Sequence, residues 1–132
     1  MKIGIILAET GPASGLGKPE VDAIKLVKKK LEEQGGKIGG KKVDIIMKDY
    51  ETDDTKAVLH MRKLISDDGV SVIYGATQVS TSIALRDAAL KSNVVFVSGA
   101  RLETWEITFF QTGHTNEVLI QQMIDDLKEK RH

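Results

Sequence analysis

Residues 70–90 read VSVIYGATQVSTSIALRDAAL. Val70 to Tyr74 form a short β-rich run that reads as a strand. Gly75 ends it. A polar loop follows, and from about Ser80 to Lys91 the residues Ile83, Ala84, Ala88 and Leu90 return at helical intervals. A strand passing into a helix through a glycine is half of a βαβ unit, and its recurrence along the chain decides the fold.

Towards the N-terminus, Ile3 to Leu7 is a continuous apolar run broken only by Gly4, as expected for a strand buried on both faces. A Gly- and Pro-rich loop spans Thr10 to Pro19. Val21, Ile24, Val27 and Leu31 then predict a helix over about 17–34, with Lys25, Lys28, Lys29 and Lys30 on its outer face. Gly35-Gly36 stops it. Residues 37–41 read as a turn, and Val43 to Met47 as a second strand. The acidic loop Asp49-Tyr50-Glu51-Thr52-Asp53-Asp54 offers a cap to a helix bearing Val58, Met61, Leu64 and Ile65.

Towards the C-terminus, Val94 to Val97 is a fourth strand, Ser98 to Arg101 opens a loop, and Trp105 to Gln111 reads as a fifth, edge-like strand. Thr115 or Asn116 caps a last helix whose apolar face is Leu119, Ile120, Met123, Ile124 and Leu127. Strands alternating with helices imply a parallel sheet covered on both sides. The expected fold is α/β: a three-layer αβα, doubly wound, mostly parallel sheet with flavodoxin-like strand order.

Composition narrows the function. The chain has 132 residues, about one domain. Lys plus Arg and Asp plus Glu are 19 each, so the formal charge is zero and a nucleic-acid module loses weight. With 41% hydrophobic residues the chain is not a disordered tail. The absence of cysteine removes disulfides, zinc–thiolate sites, iron–sulfur clusters and thiol nucleophiles. No apolar run approaches the roughly 18 residues of a membrane span. Met1 to Glu9 is too short for a secretory core, so the expectation is a cytoplasmic chain as it stands, or one whose signal was removed.

In a doubly wound sheet, ligands bind outside the carboxyl ends of the strands. Four loops qualify: 8–17, 48–54, 75–80 and 98–103. Gly11 to Lys18 has the wrong spacing for a phosphate loop, because Pro12 stands where the first glycine belongs and Pro19 follows Lys18. The dinucleotide pattern fails at Glu20, which occupies the third glycine position. Glycines there serve a flexible connection. Gly75 to Ser82 is richer: hydroxyls and amide N–H groups gather at a helix start, a ready site for a carboxylate or phosphate. The plainer reading is that Ser80 or Thr81 caps that helix.

The acids Asp49, Glu51, Asp53 and Asp54 read as a solvated loop and helix cap. A receiver domain would need paired acids after strand one, where only Glu9 stands, and an acceptor aspartate where Tyr74-Gly75 stands. His60, His114 and His132 make no metal-ligand spacing and no catalytic constellation, so no enzyme, metal or cofactor is expected. Trp105 reads as packing against the sheet edge.

Taken in order, the segments resemble the first lobe of type I periplasmic binding proteins of the leucine/isoleucine/valine-binding family. The matching segments are Ile3-Gly4-Ile5-Ile6 through Thr10-Gly11-Pro12 and Gly17, then Gly35 to Val43, and then Asp49 to Ala57. They continue with Lys63-Leu64-Ile65, Val72-Ile73-Tyr74-Gly75, Val95 to Ala100, and Phe110 to Gly113 with Asn116-Glu117. The resemblance implies a solute-binding component of an ABC importer of amino acids, periplasmic or extracellular, with a permease as partner. Such proteins have two lobes that close on their ligand. Here the resemblance implies a ligand-binding lobe at 1–112 and, at 113–132, the helix that crosses to the second lobe.

By position, the resemblance places ligand contacts at Leu16, Thr77, Gln78, Val79, Ser80, Ala100, Arg101 and Leu102. Two positions that carry hydroxyls in the family are aliphatic here, Val79 and Leu102. Arg101 adds a cation, which favours an acidic or carboxylate-only ligand or else is a surface residue. The expected ligand is a small amino acid or carboxylate. Two alternatives stand beside it: a truncated or engineered stand-alone lobe without ligand, associating as a homodimer through the helix at 115–130, and a phospho-signalling or enzyme domain on the same fold.

Overall fold

The chain folds around a five-stranded parallel sheet whose strands lie in the order Asp44–Asp49, Lys2–Leu7, Val72–Gly75, Val95–Ser98, Phe109–Gln111. The computed structural model describes residues 1–102, 109–112, 120, 121, 124 and 125. The elements are β1 (Lys2–Leu7), α1 (Ser14–Glu33), β2 (Lys37–Ile38), β3 (Lys41–Lys42), β4 (Asp44–Asp49), α2 (Asp54–Ser66), β5 (Val72–Gly75), α3 (Val79–Ser92), β6 (Val95–Ser98) and β7 (Phe109–Gln111). Counting the large sheet alone, its second strand lies outside its first, giving the flavodoxin-like order expected from the sequence. The segment read as a turn at 37–41 is a two-stranded antiparallel hairpin, β2 with β3.

The helices divide between the two faces. Ile5 and Leu7 of β1 pack with Val21 and Leu31 of α1 and with Val43 and Ile45. Ile6 points the other way, into a core with Met61 and Leu64 of α2, Leu85 and Ala89 of α3, Ile73 and Phe96. Alternate residues of one strand thus feed two cores, as a strand's period of two requires. Fully burying such side chains stabilises the fold by about 1.5–3 kcal/mol each.

Two helical faces differ from the sequence reading. On α1, Val27 is 53% exposed, and the buried line runs through Gly17, Val21 and Leu31 with Ile24 beside it. On α3, Ile83 and Leu90 face outward, while Leu85 and Ala89 are buried together with Thr81 and Ser82. Periodicity favoured the larger apolar residues. The two hydroxyls are buried because each has a partner: Thr81 donates to the Asp54 carboxylate, and Ser82 Oγ accepts from the Ala76 N–H at 3.0 Å.

Burial is uneven across β5 and β6. Ile73 and Phe96 are buried on the side of α2 and α3, whereas Val72, Tyr74, Val95 and Val97 are only half-buried on the other side. Burial on both faces, expected for Ile3 to Leu7, is found there, with Ile5, Ile6 and Leu7 all buried. The proposed crossover helix at 113–132 lies outside the described residues except at Ile120, Gln121, Ile124 and Asp125, which are helical and exposed. His114, His132 and Trp105 also lie outside them. No helix among the described residues is long and apolar enough to cross a membrane.

Candidate binding cleft

The strand register brings the loops to one edge. Leu7 lies beside Asp49, Ile6 beside Gly75, and Gly75 beside Ser98. The connection after β1 enters α1 on one face, and the connection after β5 enters α3 on the other. A crevice opens between two such diverging connections, and in open α/β sheets ligands bind there.

The β1 side of the crevice is organised by Asp49. Its Oδ1 accepts from the N–H groups of Glu9 (3.1 Å), Thr10 (3.3 Å) and Glu51 (2.9 Å), and its Oδ2 accepts from the Thr10 hydroxyl at 2.6 Å. Burial raises the pKa of this carboxyl, but the hydrogen bonds from Thr10, Glu51 and Glu9 outweigh it and hold the group below its ordinary value. The next turn holds Glu51 and Thr52 at φ 53° and 63°, a left-handed conformation uncommon for side-chain-bearing residues. Thr52 Oγ1 accepts from the Ala13 N–H at 3.1 Å and donates to the Thr10 carbonyl, so the loops after β1 and β4 support each other. Asp53 caps α2, accepting from the Thr55 and Lys56 N–H groups, as the sequence suggested. His60 is half-buried, with Nε2 3.0 Å from the Asp49 carbonyl.

The β5 side is the Gly75–Gln78 loop. A Cβ at Gly75 would stand 2.4 Å from the Ile6 carbonyl oxygen, so glycine is required by close approach. The Thr77 hydroxyl donates to Glu20 Oε2 at 2.6 Å and accepts from the Ala8 N–H at 3.1 Å, joining β5 to β1 and α1 across the crevice. Tyr50, fully buried, donates from its hydroxyl to Gln78 Oε1 at 3.4 Å. Burial is the main cause that pushes its phenol above the ordinary value. Gln78 is the N-cap of α3 and makes no side-chain cap, so neither Ser80 nor Thr81 fills the role foreseen for it. The first N–H groups of α3 therefore open the helix without a side-chain acceptor, at the positive end of its dipole.

Of the residues expected at the site, Thr77, Gln78, Val79 and Ser80 form one continuous stretch, with Val79 half exposed and Ser80 exposed. Leu16 stands in the first turn of α1 at 68% exposure. Ala100 is buried, and its carbonyl accepts from the Ser98 hydroxyl at 2.7 Å. Arg101 is exposed, and Leu102 is buried in the α2–α3 core with Ala8 and Ala13. Sequence reasoning passed over Glu20, Tyr50 and Tyr74, and it took Asp49 for a solvated acid. Glu20 carried a signal only in its nearness to the loop, nearly two turns into the helix. Among the described residues, no group of three or more His, Asp or Glu could hold a metal ion.

The comparisons agree with the fold. A family model described as periplasmic binding protein matches residues 1–132. No curated protein matches the sequence. Among solved structures, an extracellular ligand-binding receptor from Rhodopseudomonas palustris HaA2 is similar at 22% identity with a TM-score of 0.84, covering 98% of this chain and 35% of that one. The leucine binding protein LivK from Thermotoga maritima is similar at 20% identity and TM-score 0.80, covering 93% and 35%. A solute binding protein of an ABC transporter from Rhodopseudomonas palustris BisB5, in complex with 3,4-dihydroxy benzoic acid, is similar at 28% identity and TM-score 0.66, covering 74% and 26%. The chain thus spans about a third of the length of the structures it matches most fully. The family is one of binding proteins rather than enzymes, and by the match over its whole length this chain belongs to the periplasmic binding protein family.

Proposed function

We propose that this chain is a solute-binding lobe of an ABC-type importer, taking a small amino acid or carboxylate at the loops that follow β1, β5 and β6. The observation that carries the reading is the reversal of strand order between β1 and β5, with the start of α3, which lacks a side-chain cap, following β5. Leucine and 3,4-dihydroxybenzoic acid, the molecules named for two similar proteins, both carry a carboxylate. A carboxylate suits free N–H groups at a helix start. The assigned contacts are Leu16, Thr77, Gln78, Val79, Ser80, Ala100, Arg101 and Leu102, with Val79 and Ala100 contributing backbone groups. In this reading residues 1–112 are the lobe, residues 113–132 lead to a second lobe, the site of action is periplasmic or extracellular, and the partner is a membrane permease.

The test is an amide-shift titration of the chain by NMR against amino acids and small carboxylates. Changes concentrated at residues 75–80 and 98–102 support the reading. Changes confined to the opposite edge of the sheet, around Lys2 and Asp44, contradict it.

A second reading, self-association, is favoured by the half-buried Val72, Val95 and Val97 and by Ile120 and Ile124, 57% and 41% exposed. Apolar surface of this kind gains by being covered. Sedimentation equilibrium tests it, and a strictly monomeric species at tens of micromolar removes it.

A further inference from the structure

We infer that Glu20 is a specificity-determining residue of this cleft: its carboxylate, held by the Thr77 hydroxyl of the loop after β5, selects ligands that present a protonated amine there. The inference rests on the binding reading above and deepens it.

The argument begins with the other acids at this edge of the sheet, each of which is engaged. Glu9 pairs with Lys25 at 3.0 Å and Glu51 with Lys56 at 2.6 Å. Asp49 takes four donors from the neighbouring loops. Asp53 caps α2, and Asp54 accepts from Thr81. Glu20 differs. It is half-buried, it accepts one hydrogen bond, from Thr77, and among the described residues no Lys, Arg or His lies within ion-pair distance of it.

Its position gives that charge a use. Thr77, on the β5 side, reaches across to the β1 side twice, accepting from the Ala8 N–H and donating to Glu20. Its hydroxyl proton is committed to Glu20, so the pair presents acceptors rather than donors to an incoming group. Tyr74 marks the extent of the field: burial and then the negative charge of Glu20 push its phenol above the ordinary value. The Tyr74 hydroxyl in turn lies against the loop after β6, 2.9 Å from where a Cβ of Gly99 would be. Glu20 thus acts on Tyr74, whose hydroxyl reaches the loop after β6. A second carboxylate brought there meets repulsion, whereas an ammonium gains a charge-assisted partner.

The experiment uses the 132-residue chain and probes of matched shape. These are leucine, 4-methylpentanoate and 3-methylbutylamine, and phenylalanine, 3-phenylpropanoate and 2-phenylethylamine, titrated by calorimetry into the wild type and Glu20→Gln. Gln keeps an acceptor for Thr77 and removes the charge. The expected result is that an amine-bearing probe of at least one set binds more tightly than its amine-free counterpart. Glu20→Gln then weakens that binding by roughly tenfold to a hundredfold while melting within a few degrees of the wild type. Equal or tighter binding of the amine-free acids, unchanged by Glu20→Gln, overturns the role of Glu20 and leaves the binding reading standing. Wild-type chain that binds none of the six probes overturns the inference through the reading beneath it. Thr77→Val adds an independent check: because it leaves Glu20 charged, it must retain the preference for amines over acids even if affinity falls.

Discussion

A Cβ atom placed on Gly17 would stand 2.0 Å from the carbonyl oxygen of Ala8. The first turns of α1 lie against the end of β1 with no room for a side chain, and this contact fixes where the helix leaves the sheet. Because the obstacle is backbone, it cannot rotate aside. Gly17→Ala is expected to cost about 2–4 kcal/mol in chemical denaturation. Gly15, two residues earlier, has nothing within 4 Å of a Cβ. Gly15→Ala is expected to gain about 0.5 kcal/mol by restricting the unfolded chain. Equal effects at the two positions would disprove the packing account.

The Asp49 carboxylate gives the fold a defined acid response. Its folded pKa lies below the ordinary carboxylate value, so the unfolded chain binds a proton more readily than the folded one. The stability it contributes is present above roughly pH 4, the unfolded value, and is lost as pH falls through the folded value. Asp49→Ala strands the N–H groups of Glu9, Thr10 and Glu51, and is expected to cost about 1–2 kcal/mol at pH 7. Melting curves from pH 7 to pH 3 should show the difference between variant and wild type shrinking below pH 4. A constant difference across that range would show that the charge of Asp49 is not its source.

Tyr50 couples the core to the cleft. Its ring is fully buried while its hydroxyl reaches Gln78 at the start of α3. Tyr50→Phe keeps the ring and removes one hydrogen bond of ordinary to long geometry, so a loss of about 1 kcal/mol or less is expected in denaturant unfolding. The same variant should shift the amide resonances of residues 77–79. A variant with unchanged stability and unchanged amides would break the proposed link.

The fold was legible because its signals were redundant. Ile3 to Leu7, Val43 to Met47, Val70 to Tyr74 and Val94 to Val97 each announce a strand, and each is followed by a turn signal. Helix faces were less legible. On α3, apolar periodicity pointed to Ile83 and Leu90, but the buried positions include Thr81 and Ser82, whose hydroxyls are satisfied by Asp54 and Ala76. Residue type alone does not announce a hydroxyl that has found a partner 27 residues away. The cleft was legible as a set of loops and not as a network. Asp49 ends a strand, and three of its four donors, from Glu9 and Thr10, lie about 40 positions away where the sequence does not show them. Glu20 was seen only as the residue that breaks a glycine motif. Its contact with Thr77 spans 57 positions and exists only because α1 and β5 meet at β1.

The most direct test of the central claim, that this lobe holds a small solute at its strand ends, is thermal unfolding of the chain against a panel of amino acids and small carboxylates. A ligand present at 100 times its dissociation constant adds about 2.7 kcal/mol, a rise of several degrees for a domain of this size. The account predicts such a rise for at least one ligand, abolished by Val79→Pro, which removes an N–H at the start of α3 where proline is otherwise tolerated. A cooperative melt that no member of the panel moves, at any concentration tested, would contradict it.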